Sequence, residues 1–163
     1  MEGTSSGITD EEKLFLKKLT EFQLDGRYPD YQFNISKICN KQFTSEVIER
    51  SDLLRTKFLK ERTIRLVGNY AKEILVYGID LKKVYLFGSY AKNSQRDWSD
   101  IDVALVSDNF SGFGFKDLDL LGNVSIQSEY IPIQTKFYNT KYFKKSDPFV
   151  EEILKTGIEI PLP

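Results

Sequence analysis

KKVYLFGSYAKNSQRDWSDIDVALVS, residues 82–107, holds the two pieces of chain on which the reading of this protein turns. KKVYLFGS is a short apolar run closed by Gly-Ser and predicts a buried strand. Residues 90–95 predict a turn or the start of a helix, and DIDVALVS predicts a second strand. Side chains alternate along a strand, so Asp100 and Asp102 point to one side while Ile101 and Val103 point to the other. Two carboxylates on one face begin a magnesium site, because hard cations take oxygen ligands and complete their shell with water and substrate phosphates. Two such ions would align the attacking and leaving oxygens of a phosphoryl or nucleotidyl transfer. Gly88 follows directly on the first strand, where the lack of a Cβ lets backbone approach a triphosphate, and Ser89 adds a hydroxyl to the backbone donors.

Working outward, residues 1–9 are small and polar and are expected to be disordered, with Thr9-Asp10 offering capping chemistry to a helix of about 11–24 built on Leu14, Phe15, Leu16, Leu19 and Phe22. Gly26 and Pro29 are expected to end it, and a polar segment follows to about Ile38. Helical periodicity then runs over 44–78, as one helix or as two with a break near 61–63. Beyond the strand pair, residues 116–122 predict a short helix, EYIPIQTKFY (129–138) a third strand, and DPFVEEILKTG (147–157) a closing helix with Gly157 at its C-terminal end. No internal repeat or low-complexity tract is present.

Composition narrows the chemistry. The 163 residues contain no histidine, which excludes Ser-His-Asp and Cys-His mechanisms and any nuclease with a histidine base. Carboxylate, hydroxyl, lysine, tyrosine and metal chemistry remain. The single cysteine, Cys39, excludes an intrachain disulfide and a Cys-rich zinc site. Lys plus Arg (23) balance Asp plus Glu (24), so there is no global basic field and no strong case for nucleic acid. No stretch approaches the roughly 20 apolar residues of a membrane span, and no apolar signal core follows Met1, so a cytoplasmic location is expected.

Gly88-Ser89, about ten residues, then Asp100-x-Asp102 resembles the signature of the nucleotidyltransferase superfamily that includes DNA polymerase beta, and GSYAKNSQRDWSDIDVALVS resembles its small members, the minimal nucleotidyltransferases. The likeness runs from about residue 60 to the C-terminus. It implies an α+β fold, a small mixed β-sheet, here with an N-terminal helical extension. It further implies that Gly88, Ser89 and Ser99 serve the nucleotide, with Ser99 supporting the loop, and that Asp100 and Asp102 bind Mg2+ and catalyse, with ATP as the substrate. Asn93 stands where the family usually has a second glycine, and asparagine tolerates a left-handed backbone best among the other residues. The family also uses a third carboxylate on a neighbouring strand, where this chain offers Gln134 or Tyr138, with Glu129 only at the strand's edge. Arg96 reads as a solvated loop charge, with phosphate contact as the alternative.

The segment FLKKLTEFQLDGRYPDY (15–31) resembles part of a HEPN helical domain, which gives a division into a partial HEPN-like segment at 10–60 and a nucleotidyltransferase domain at 61–163. HEPN ribonucleases carry a histidine motif that this chain lacks. The joint resemblance implies an antitoxin-like enzyme of a toxin–antitoxin pair that moves AMP from ATP to a tyrosine of a HEPN partner. Tyr28 and Tyr31 read as packing residues rather than as self-modification sites. The N-terminal helices either pair with a HEPN chain or a second copy, or pack on the C-terminal sheet. Two other functions stay open: a degenerate fold that binds nucleotide or partner without turnover, and a small-molecule nucleotidyltransferase of the aminoglycoside type, which would call for further helical structure after the core.

Overall fold

The computed structural model of the chain describes residues 7–27, 39–122 and 124–163. Helix α1 (Asp10–Arg27) begins where the sequence places capping chemistry. Thr9 and Glu12 form a reciprocal capping box: the Thr9 amide donates to Glu12 Oε2 at 2.7 Å and the Glu12 amide to Thr9 Oγ1 at 3.2 Å. Gly26 does not end this helix, which continues to Arg27. A single helical glycine costs only about 1 kcal/mol relative to alanine, less than flanking turns contribute. Residues 1–6, and the segment 28–38 with Tyr28, Pro29 and Tyr31, lie outside the described residues.

Helix α2 (Lys41–Val76) is one uninterrupted helix of 36 residues. Asn40 caps it by accepting from the Phe43 amide at 2.9 Å. At the position considered for a break, Thr63 turns its hydroxyl back to the Leu59 carbonyl at 2.8 Å and stays within the helical ladder. The chain divides into two units between Thr56 and Lys57. In the first, Phe15 and Leu54 are buried, and the Phe22 and Phe43 rings meet edge-on at 5.5 Å. Arg50 lies 4.5 Å over the Phe15 ring while pairing with Glu11 at 2.7 Å. No helix of the described residues is long and apolar enough to cross a membrane.

The second unit is built on a four-stranded sheet in the order β3-β2-β1-β4. Its strands are β1 (Leu81–Phe87), β2 (Ile101–Ser107), β3 (Ile133–Tyr138) and β4 (Ile158–Glu159), with short helices α3 (Gly88–Ala91), α4 (Gly114–Leu120) and α5 (Pro148–Thr156) between them. β1 pairs antiparallel with β2 and with β4, while β2 and β3 run parallel, so the sheet is mixed and the architecture is the expected α+β. The third strand is shorter than the 129–138 predicted. Tyr130 and Ile133 are drawn into successive turns by bonds from Tyr130 N to Gln127 O (2.9 Å) and from Ile133 N to Tyr130 O (2.9 Å).

Alternation assigns the two sheet faces different neighbours. Val84, Leu86, Ile101, Val103 and Leu105 join Val67, Tyr70, Ala71 and Ile74, the i, i+3, i+4, i+7 stripe of α2, in one cluster. Fully burying each such aliphatic side chain stabilises by about 1.5–3 kcal/mol. Tyr85, Phe87 and Ala104 point the other way and meet Ile153 of α5. That helix starts on Asp147, whose carboxylate accepts from the Phe149 and Val150 amides at 2.8 and 3.2 Å, with Pro148 in its first turn.

Gly157 ends α5 as the sequence suggests, but not through a left-handed turn: its φ is −76°. It is needed for proximity, because a Cβ there would lie 2.5 Å from the Ile153 carbonyl oxygen and 3.2 Å from that of Leu86. This close approach carries the chain straight into β4, a strand not foreseen from the sequence. Gly157→Ala is therefore expected to lower unfolding free energy by about 1–3 kcal/mol in urea titrations. Gly114→Ala, where an added Cβ meets nothing within 4 Å, is expected to stay within about 0.5 kcal/mol of the parent.

Candidate functional site

β1 delivers the chain to Gly88, and Phe87, its last residue, is the antiparallel partner of Asp102. Gly88 sits at φ +69°, in the region that favours glycine. A Cβ at Gly88 would also collide with Asp102 Oδ2 and lie 2.9 Å from Asp102 Cγ. Backbone conformation and space thus both require glycine here, and the second reason joins the two halves of the motif physically. No side chain caps the α3 turn that begins at Gly88, so the amides of Ser89 and Tyr90 keep their donor capacity.

The intervening loop is held by its own backbone. Lys92 N donates to Gly88 O at 3.3 Å and Ser94 N to Ser89 O at 2.9 Å. Asn93 has φ 54°, and among the described residues it is the non-glycine residue in the left-handed region, which asparagine tolerates. Ser99 Oγ accepts from the Arg96 amide at 2.9 Å while its own amide donates to Arg96 O at 3.0 Å. That pair of bonds fixes the turn immediately before Asp100. The Arg96 side chain is exposed.

Asp100 lies one residue before β2, whose first amide, Ile101 N, donates to Pro132 O at 2.9 Å. Because Ile101 and Val103 enter the α2-side cluster and Ala104 enters the α5-side cluster, Asp102 stands on the α5 side, half-buried, with Asp100 exposed beside it. Burial raises the Asp102 carboxyl above its usual range, the Asp100 charge raises it further, and Lys136 acts in the opposite sense. Among the described residues neither carboxylate takes part in a hydrogen bond or ion pair. Two adjacent carboxylates without a protein donor, one exposed and one half-buried, suit a hard divalent cation with open positions for phosphate and water.

The neighbouring strand does not complete a three-carboxylate set. In the parallel register Asp102 faces Gln134 and Ala104 faces Lys136. Glu129 precedes the strand and acts on the Tyr130 hydroxyl, which donates to Glu73 at 2.7 Å and is raised by burial and these acids. Tyr130 belongs to the α2-side cluster, so Glu129 is engaged away from Asp102. Tyr138 packs edge-on against Phe143 at 5.1 Å. Among the described residues no three acidic, histidine or cysteine side chains gather as a metal-binding group. Sequence reading passed over Lys136, although strand alternation from Gln134 would have found it. It also passed over Phe149, whose ring stands edge-on to Phe87 at 5.7 Å, and the Lys92–Glu152 bridge (2.6 Å) from the residue after α3 to α5; both arise from tertiary packing.

Since the folded-state pKa of Asp102 is raised, its ionisation opposes folding as pH rises from the ordinary carboxylate value through the raised one. Asp102→Asn removes that penalty. Its thermal midpoint is expected to exceed that of the parent at neutral pH in metal-free buffer, with the difference shrinking as pH falls below about 4. Equal midpoints at neutral pH would show that the carboxylate is not under strain.

A family model described as polymerase beta, nucleotidyltransferase matches residues 69–161, a span that contains all four strands and Gly88, Ser89, Ser99, Asp100 and Asp102. No curated protein matches the chain. Among solved structures, a candidate nucleotidyltransferase from Sulfolobus solfataricus, determined at 1.40 Å, aligns with a TM-score of 0.47 and 18% identity over 64% of this chain and 84% of that one. With more than half of its length matched, the chain belongs to the polymerase beta nucleotidyltransferase family.

Proposed function

We propose that the protein is a magnesium-dependent adenylyltransferase that moves AMP from ATP to a tyrosine hydroxyl of a HEPN-type partner, in an antitoxin-like role. The observation that carries the transfer is the packing of the Gly88 backbone directly against the Asp102 carboxylate, which sets a phosphate-binding turn beside a cation-binding pair. In the reaction the acceptor oxygen bonds to the α-phosphorus as the bond from that phosphorus to the bridging oxygen breaks. Pyrophosphate leaves, and the hydroxyl proton passes to solvent. Asp100 and Asp102 would hold the divalent ion, which supplies charge neutralisation for the triphosphate. The α3 amides and the Ser89 hydroxyl bind phosphate oxygens, and Ser99 holds the loop that sets Asp100.

The protein acceptor is supported by the first unit, whose helices leave Leu14, Ile48 and Leu53 exposed, a surface suited to another helical chain. One observation favours a second reading, binding without turnover: on the Asp102 face of β3 Gln134 stands beside Asp102 and Lys136 beside Ala104, so among the described residues no third carboxylate is at hand to accept the acceptor's proton.

Intact-mass measurement after incubation with Mg2+ and ATP, with and without a HEPN partner, separates the two. Transfer is expected to add one AMP to the partner, and Asp100→Asn or Asp102→Asn to slow it by at least about 100-fold. A stable partner complex that forms equally well with both variants and never gains AMP would establish the second reading instead.

A further inference from the structure

We infer that Lys136, which stands on the Asp102 face of β3 one same-face position beyond Gln134, supplies the charge of a second ion, so that this site works with a single divalent cation. The inference rests on the nucleotidyl-transfer reading and adds to it how the charge of the triphosphate is met.

The strand geometry places the residue. β3 runs parallel beside β2 with Gln134 opposite Asp102 and Lys136 opposite Ala104. Thr135 and Phe137 turn to the other face, where Thr135 shares a 3.1 Å hydrogen bond with the Tyr70 hydroxyl of α2 and Phe137 packs on Phe110 at 5.0 Å. Gln134, beside Asp102, and Lys136, one same-face position further along beside Ala104, therefore stand on the Asp102 face, and neither is a carboxylate. Lys136 is directed across that face: its Nζ lies 5.8 Å from the centroid of the Phe149 ring, and that ring abuts Phe87, the partner of Asp102. Its charge is felt at Asp102.

Charge balance gives the reason. Two carboxylates, one ammonium and one divalent ion leave a single positive charge facing the triphosphate. Three carboxylates with two divalent ions leave the same. Adding a second ion beside the ammonium would instead crowd three positive charges into the pocket with no extra oxygen ligand to hold it. Lysine suits this place because its ammonium is a compact point charge on a flexible stem, able to follow phosphate oxygens.

Native mass spectrometry of the full chain with a non-hydrolysable ATP analogue and Mn2+ counts ions per nucleotide-bound protein. The parent protein is expected to carry one Mn2+, and Lys136→Glu, which adds a carboxylate at an exposed strand position, to carry two. Lys136→Met is expected to keep one ion and bind the analogue about tenfold more weakly. Two ions on the parent, one on Lys136→Glu, or unchanged affinity in Lys136→Met would each overturn the inference and leave the transfer reading standing. No complex between the parent and the analogue would remove the transfer reading, and the inference with it.

Discussion

The contact between the Gly88 backbone and the Asp102 carboxylate is the constraint on which the site depends. It exists only because β1 and β2 pair in one register, with Phe87 opposite Asp102 and Leu86 opposite Val103. A slip of one residue would turn Asp102 into the apolar layer under α2 and bring Val103 out beside Gly88 in its place. The apolar residues that fill that layer, Val84, Leu86, Val103 and Leu105, therefore do more than stabilise the unit. By making every other register costly, they align the two halves of the motif. The loop between them needs only to be closed, which the bonds from Ser94 to Ser89 and between Ser99 and Arg96 accomplish.

The sheet divides its labour by face. The α2 side is sealed by large side chains and carries no ionisable group used in chemistry; the polar atoms there, such as the Tyr70 and Tyr130 hydroxyls, are satisfied internally. The α5 side is covered by a shorter helix, which packs Ile153 on Tyr85, Phe87 and Ala104. Asp102 stands on that side, buried enough to feel a reduced dielectric and open enough for a ligand to reach. The cost of keeping two carboxylates close without a protein donor is borne by the packed layer behind them.

Much of this was legible in the sequence because local pattern and tertiary role agree there. The strand–turn–strand, the opposed directions of Asp102 and Val103, the left-handed Asn93 and the closing helix after Asp147-Pro148 all follow from alternation or turn chemistry. The differences arise where distant packing decides. The 129–138 segment begins as turn because Tyr130 is pulled into the core beneath α2, and nothing in its neighbours announces that. β4 has two residues, too few for any period, and is selected by how closely Gly157 approaches β1. The apolar period of α2 left one helix or two open, because Thr63 reads as a weak helix former until its hydroxyl finds the Leu59 carbonyl. At the site, the carboxylates and the glycine carry a motif, whereas Lys136 and Phe149 come to that face of the sheet only through register and helix placement.

β4 also has a bearing on how the chain acquires its structure. β1 meets β2 across a short loop, but its opposite edge is covered only when Glu159 arrives beside Tyr85, a pair 74 positions apart in sequence. At a synthesis rate of about 5–20 residues per second, that edge stays bare for several seconds on the ribosome, with backbone donors and acceptors open to any passing strand. Lys82 and Lys83, adjacent on this strand and exposed, interrupt its apolar run just before Val84, and charge on an edge strand hinders pairing with other chains. Until the last strand arrives, those two charges are what the bare edge offers against such pairing.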